Sequence, residues 1–214
     1  MTGVHPAWVL GLAYAAGSVS FAFWAVKWRK GIDLRTVGSG NLGATNAARV
    51  LGRSWGIAIY VLDFLKGLVP VLVAQAMRDC RTPDGWPPLP LLAGLAAFVG
   101  HCLPLWHGFR GGKGVATGSG LVVGLASLPV VAAVGAAFGL GVAVSRTISL
   151  GSILASATLP VAHYVLTQPR PTSGPEGWSF ALFILVGLLV IVRHRANMKR
   201  LLAGEEPRIG GNNK

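Results

Sequence analysis

Seven stretches of this 214-residue sequence run for 13 to 24 residues almost without charge, and nothing long and polar separates them. They are Ala7 to Val26, Ser54 to Met77, Leu89 to Trp106, Val115 to Ser127, Pro129 to Val144, Ile153 to Thr167 and Ser179 to Val192. About 20 apolar residues make a helix long enough to cross the hydrocarbon core of a bilayer. In lipid the backbone has no partner but itself, so such runs fold as helices packed together. The pattern therefore predicts an all-α, polytopic membrane bundle of about seven transmembrane helices. The later runs are short, so their helices are expected to extend past the apolar limits. Composition agrees: 52% of residues are hydrophobic and 12% charged, about half the charge of an ordinary soluble domain. A disordered basic tail would lack these apolar residues, and a disulfide scaffold would need more than the two cysteines present. A soluble nucleic-acid binder would spread its cations over one globular surface, so no nucleic-acid partner is expected.

A cleavable signal peptide would carry its cations before the first run, whereas Lys27, Arg29 and Lys30 follow it. The run reads as a retained span. Cations also set the orientation. If the loop after the first span is cytoplasmic, that side holds fifteen of the 19 Lys and Arg, the other side holds Arg78, Arg81 and Arg170, and Lys66 lies in the membrane. The amino terminus is then outside and the carboxyl terminus cytoplasmic. Residues 1–206 read as one integral-membrane domain and 207–214 as a short polar tail. Cys80 and Cys102 fall on opposite sides and are not expected to pair.

The outer loops carry nothing reactive, but the inner loops do. The first reads Val37-Gly-Ser-Gly-Asn-Leu-Gly-Ala-Thr-Asn-Ala-Ala-Arg49, and the second Gly108-Phe-Arg-Gly-Gly-Lys-Gly-Val-Ala-Thr-Gly-Ser-Gly120. Segments so poor in bulky side chains present backbone N–H groups to an anion, and Arg49 and Lys113 add charge, so two phosphate cradles are expected. The competing reading is that the glycines serve only turns and close helix packing. Two nucleotide motifs fail here. Gly38-Ser-Gly-Asn-Leu-Gly43 has the dinucleotide spacing but no strand before it, and Lys113 lacks both the early glycine and the following Ser or Thr of a Walker loop.

The third inner loop, Ser145 to Ser152, is short and rich in hydroxyls. After the last span His194 and Asn197 stand three apart on one helix face, in a basic segment that could equally be a membrane anchor. Asp63 and Lys66, also three apart, are costly in lipid and are expected to pair as structural support. His101 and His107 flank the inner end of the third span with no carboxylate beside them and read as satisfied polar residues, and His163 reads as a lone bundle histidine. No His, Cys, Asp or Glu cluster has metal-ligand spacing, so neither metal nor cofactor is implied. None of the five histidines is followed by Asp five positions later, which excludes the soluble type of glycerolipid acyltransferase.

These motifs, taken in order, resemble the PlsY family, the bacterial acyl-phosphate:glycerol-3-phosphate acyltransferases. The resemblance covers nearly the whole chain. It rests on Ser39 to Arg49, on Gly100 to Thr117, on His194 to Glu205, and less strongly on Asp63-Phe-Leu-Lys-Gly67 and Ser149-Leu-Gly-Ser152. Leu103 stands where the family often has Phe, and Thr147 where an aromatic is common. The resemblance implies transfer of a long acyl chain from acyl phosphate to the 1-hydroxyl of glycerol 3-phosphate, giving lysophosphatidic acid. By matched position Ser39, Gly40, Asn41, Gly43, Thr45, Asn46 and Arg49 would hold the acyl-phosphate head. Lys113, with Gly111, Gly112 and Gly114, would bridge both phosphates, and Ser149, His194 and Asn197 would seat glycerol 3-phosphate. No required protein partner is implied beyond membrane lipids, and contact with the soluble enzyme that forms acyl phosphate is left open. The mixed anhydride has a good leaving group and its own phosphate oxygens, so direct attack without an acyl-enzyme is expected, with Ser39 and Ser149 as hydrogen-bonding groups. A transporter or exchanger of organic phosphates is the alternative, favoured by the short helices and by Asp63 and Lys66 in the membrane, but opposed by polar motifs all on one face.

Overall fold

The computed structural model describes residues 5–77, 82–167 and 174–210. Its contacts divide the chain into two compact units, Met1–Leu125 and Ala126–Lys214. All regular structure among the described residues is helical. Cys80, and with it the expectation about a disulfide, lies outside them, as do Arg78, Arg81 and Arg170.

In the first unit the expected span over Ala7 to Val26 is broken in the middle. Helix α1 covers Pro6–Ser18 and α2 covers Phe21–Lys30, with Val19 and Ser20 extended between them. The Ser20 hydroxyl accepts the Phe23 N–H at 3.2 Å and caps α2. The Val19 carbonyl accepts instead from Lys66 Nζ, at 2.7 Å. Lys27, Arg29 and Lys30 occupy the last turn of α2, where the helix dipole favours cations. A 3-10 turn at Leu34–Thr36 leads to α3 (Ala44–Leu51) and α4 (Arg53–Ala76). Then come α5 (Leu89–Cys102), a 3-10 turn at Leu105–His107, and α6 (Val115–Leu125).

Helix α1 packs on α5, and α4 packs on α3, α5 and α6. The closest approaches are at glycines. A Cβ on Gly67 of α4 would run into the Thr117 carbonyl of α6, and one on Gly120 would meet the Phe64 carbonyl. Leu34 and Leu42 are buried with Ala22, Val26, Ala47 and Ile59. That cluster fastens both ends of the first glycine-rich loop to α2, α3 and α4.

The second unit consists of α7 (Leu128–Ser145), α8 (Ile148–Leu166), α9 (Gly174–Arg193) and α10 (Arg195–Leu202). Helices α7 and α8 form a hairpin through Arg146, whose φ is +58°, and Thr147, whose hydroxyl accepts the Leu150 N–H at 3.4 Å and caps α8. The hydroxyl thus has a local use where an aromatic was noted as common. Gly141 and Gly151 bring α7 and α8 into backbone contact. Ile209, in the stretch expected to be a tail, donates its N–H to the Arg146 carbonyl at 2.7 Å.

Counting α1 and α2 as one, six helical segments among the described residues are long and apolar enough to cross a membrane. The seventh expected span is α6, only 11 residues long. As anticipated, α8 and α9 begin before their apolar runs, at Ile148 and Gly174. Large apolar side chains such as Leu128, Leu140, Val144 and Leu188 remain exposed, as lipid contact requires.

Candidate functional site

In the first unit the two glycine-rich loops meet. Asn41 Nδ2 donates to the Gly111 carbonyl at 3.4 Å, a contact between residues 70 positions apart. Asn46, in the first turn of α3, shapes the first loop from within. Its Oδ1 accepts the Ser39 N–H at 3.0 Å, and its Nδ2 donates to the carbonyls of Val37 and Asn41 at 3.1 Å and of Leu34 at 3.4 Å. The side chain is 2% exposed. Asn46 thus holds the backbone of the first loop in shape. Gly38 and Gly40 have φ of +58° and +66°, a left-handed conformation that side chains rarely adopt. Gly43 caps α3 without a side-chain bond. Ser39 is exposed, as are Thr45 and Arg49, one turn apart on the same face of α3.

Arg35 also lies nearby but is committed elsewhere. Its guanidinium grips Asp33 at 2.6 Å, and this hydrogen bonding, helped by the Arg35 N–H, lowers the Asp33 carboxyl to about 2.

The second loop is laid on the end of α5. The Gly112 N–H donates to the His101 carbonyl at 3.1 Å. A Cβ on Gly111 would meet that same carbonyl, one on Gly112 would enter the His101 imidazole, and one on Gly114 would strike Phe98. Lys113 is half-buried. Behind the loop Lys66 Nζ lies 2.9 Å from Asp63 Oδ1, so the expected pair is formed, and both side chains are almost wholly buried. The reading that no carboxylate accompanies His101 is corrected: its Nδ1 is 3.8 Å from Asp63 Oδ1, because α4 packs on α5. His107 packs on Phe23 with ring centroids 4.5 Å apart, and its Nε2 has no hydrogen-bond partner among the described residues. It is not the satisfied histidine expected.

In the second unit Ser149 lies in the first turn of α8, while His194 and Asn197 stand where α9 gives way to α10. All three are buried. His194 Nδ1 is 2.8 Å from the Val190 carbonyl. A carbonyl only accepts, so Nδ1 carries the hydrogen. Asn197 Nδ2 donates to Glu206 Oε1 at 2.6 Å, and Arg200 Nε donates to Glu206 Oε2 at 2.8 Å. Burial pushes the Glu206 carboxyl up, but Asn197, Arg200 and the neighbouring Ser149 hydroxyl outweigh it and hold the group below its usual range. The Ser149 hydroxyl nonetheless has no hydrogen bond of good geometry among the described residues. A cavity of about 210 Å³ opens beside Glu206, lined also by Ser145, Arg146, Thr147 and Arg208.

Sequence reasoning missed Glu206. Gly204, at φ +73°, reverses the chain after α10, and the Glu205 N–H donates back to the Arg200 carbonyl at 2.8 Å. That turn aims Glu206 at Asn197 and Arg200, which share a face three positions apart. The glycine beyond a helix end was the available signal. His163, read as lone, is instead 3.8 Å from Glu176 and packs edge-on to Phe183.

Among the described residues no group of three or more metal-ligating side chains converges. The chemistry on offer is hydrogen bonding and positive charge, which suits anionic substrates.

A family model of glycerol-3-phosphate acyltransferases matches residues 7–204. A glycerol-3-phosphate acyltransferase of Synechococcus elongatus is 43% identical over 93% of this chain and 92% of its own. One of Thioalkalivibrio sulfidiphilus is 44% identical over 96% and 94%. Among solved structures, PlsY, an integral membrane glycerol 3-phosphate acyltransferase in its glycerol 3-phosphate form, superposes with a TM-score of 0.83 at 38% identity, covering 96% of each chain. Its lysophosphatidic acid form superposes with a TM-score of 0.79.

Proposed function

The chain belongs to the glycerol-3-phosphate acyltransferase family, and on that premise we propose that it acylates the 1-hydroxyl of glycerol 3-phosphate from acyl phosphate, giving lysophosphatidic acid and inorganic phosphate. Residues 1–206 form the acyltransferase domain, set in a bacterial inner membrane with its polar loops cytoplasmic, where both anionic substrates are made. The excess of cations in those loops supports this orientation.

The Asn41–Gly111 contact carries the reading. It joins two loops of small residues, one leading to Arg49 and the other bearing Lys113. Backbone N–H groups, the exposed Ser39 and Thr45 and these two cations form an environment for the phosphate of acyl phosphate. In the second unit Ser149, His194 and Asn197 bind glycerol 3-phosphate. Glu206, which accepts from Asn197 Nδ2, holds that amide in place.

The glycerol oxygen attacks the acyl carbon, the carbon–oxygen bond to phosphate breaks, and the hydroxyl proton passes to an oxygen of the departing phosphate. Arg49 and Lys113 stabilise the negative charge that develops. No acyl-enzyme forms, because the donor is already activated. Supplying acyl phosphate alone tests this: the account predicts no covalent acyl-serine, and trapping one on Ser39 or Ser149 would contradict it.

A further inference from the structure

The Lys66–Asp63 pair is buried deep in the first unit. Taking two charges out of water costs several kcal/mol per ion in order of magnitude, and such pairs are poor stabilisers compared with apolar side chains of the same volume. What the pair does is join three elements. Lys66 Nζ donates to the Val19 carbonyl, the group released by the break between α1 and α2. It holds Asp63 Oδ1 at 2.9 Å. The same oxygen lies 3.8 Å from Nδ1 of His101, on α5.

The far edge of the His101 ring is the surface on which the second loop rests. A Cβ built on Gly112 points into the ring at Nε2, whereas the other ring nitrogen, Nδ1, is the one that faces Asp63. The main chain of His101 holds the same loop, since its carbonyl accepts the Gly112 N–H and leaves no room for a side chain at Gly111. His101 is 6% exposed, so its ring sits fixed between a buried carboxylate and the backbone next to Lys113.

We infer that His101 is a positioning residue: oriented by the Asp63–Lys66 pair, its ring sets where Gly111, Gly112 and Lys113 stand against the substrate phosphate. The inference rests on the reading that this loop binds a substrate phosphate. It also gives the intramembrane pair a purpose, which is to hold the imidazole from behind.

The test is a double-mutant cycle on the purified full chain in detergent, measuring KM and kcat for acyl phosphate and glycerol 3-phosphate. Gly112→Ala puts a methyl group into the imidazole, and His101→Ala removes the ring it would meet. Each single change is expected to raise KM for a phosphate-bearing substrate about tenfold with less than about a threefold fall in kcat, since His101 touches no reacting atom. The double variant is expected to have a KM no higher than Gly112→Ala alone, because residues in contact do not act additively. Should His101→Ala elute as aggregate, His101→Asn replaces it in the same cycle. Single effects that multiply in the double variant, or a His101 change that leaves both KM values unaltered, would overturn the inference while the enzyme reading stands. A wild-type chain that makes no lysophosphatidic acid would overturn both.

Discussion

Asn197 Nδ2 and Glu206 Oε1 are 2.6 Å apart, and the second carboxylate oxygen of Glu206 is taken by Arg200. One buried carboxylate thereby fixes the side chain of a candidate substrate ligand. Glu206→Gln keeps the shape but turns an amide donor toward Asn197 or Arg200, so it should lower stability by about 1–3 kcal/mol. The pH dependence follows from the lowered carboxyl. Stability from this group is fully present above the ordinary glutamate value and is lost as pH falls through the folded-state value. Thermal melts below about pH 5 should show this loss in the wild type. In Glu206→Gln the difference from wild type should narrow as pH falls.

Asn46 serves one oxygen and one nitrogen to four backbone groups of the first loop. Asn46→Asp removes the donors to three carbonyls and buries a charge in their place. It should cost about 3 kcal/mol or more and abolish turnover, whereas Thr45→Ala, on the exposed face of α3, should leave the melting temperature near that of wild type. A melt of Asn46→Asp indistinguishable from wild type would refute the loop-building role.

Arg49→Lys keeps its charge but loses the planar fork that grips a phosphate through two bonds. It should lose most activity while still eluting as a folded species, because Arg49 is exposed. Lys113→Ala should behave likewise. Near-normal turnover in either would remove the phosphate cradle from the account. A chelator should change nothing.

Much of this was legible in the sequence, and the exceptions have physical causes. The apolar runs marked each long helix, and the spacing of Asp63 and Lys66 marked their pair. The break at Val19 and Ser20 was hidden because the apolar run continues through it and no Pro stands there. Gly17 and Ser20, a good helix cap, were the local signals. The contact of His101 with Asp63 joins residues 38 positions apart through helix packing, which periodicity does not encode. Asn46 could be recognised as part of the first loop motif, but only its four bonds show that it holds the loop in shape.

Orientation can be checked with the two cysteines. An impermeant thiol reagent applied to intact cells should reach Cys80 and miss Cys102, which is buried at the end of α5. Labelling of Cys102 alone would reverse the assigned topology.

The most direct measurement is turnover by the purified protein in detergent, supplied only with a long-chain acyl phosphate and glycerol 3-phosphate. The account predicts lysophosphatidic acid and inorganic phosphate in equal amounts, with the acyl chain on the 1-hydroxyl and no added metal or cofactor. A protein that is folded and monodisperse yet makes no product from this pair, or does so only when acyl phosphate is replaced by a thioester donor, would contradict it.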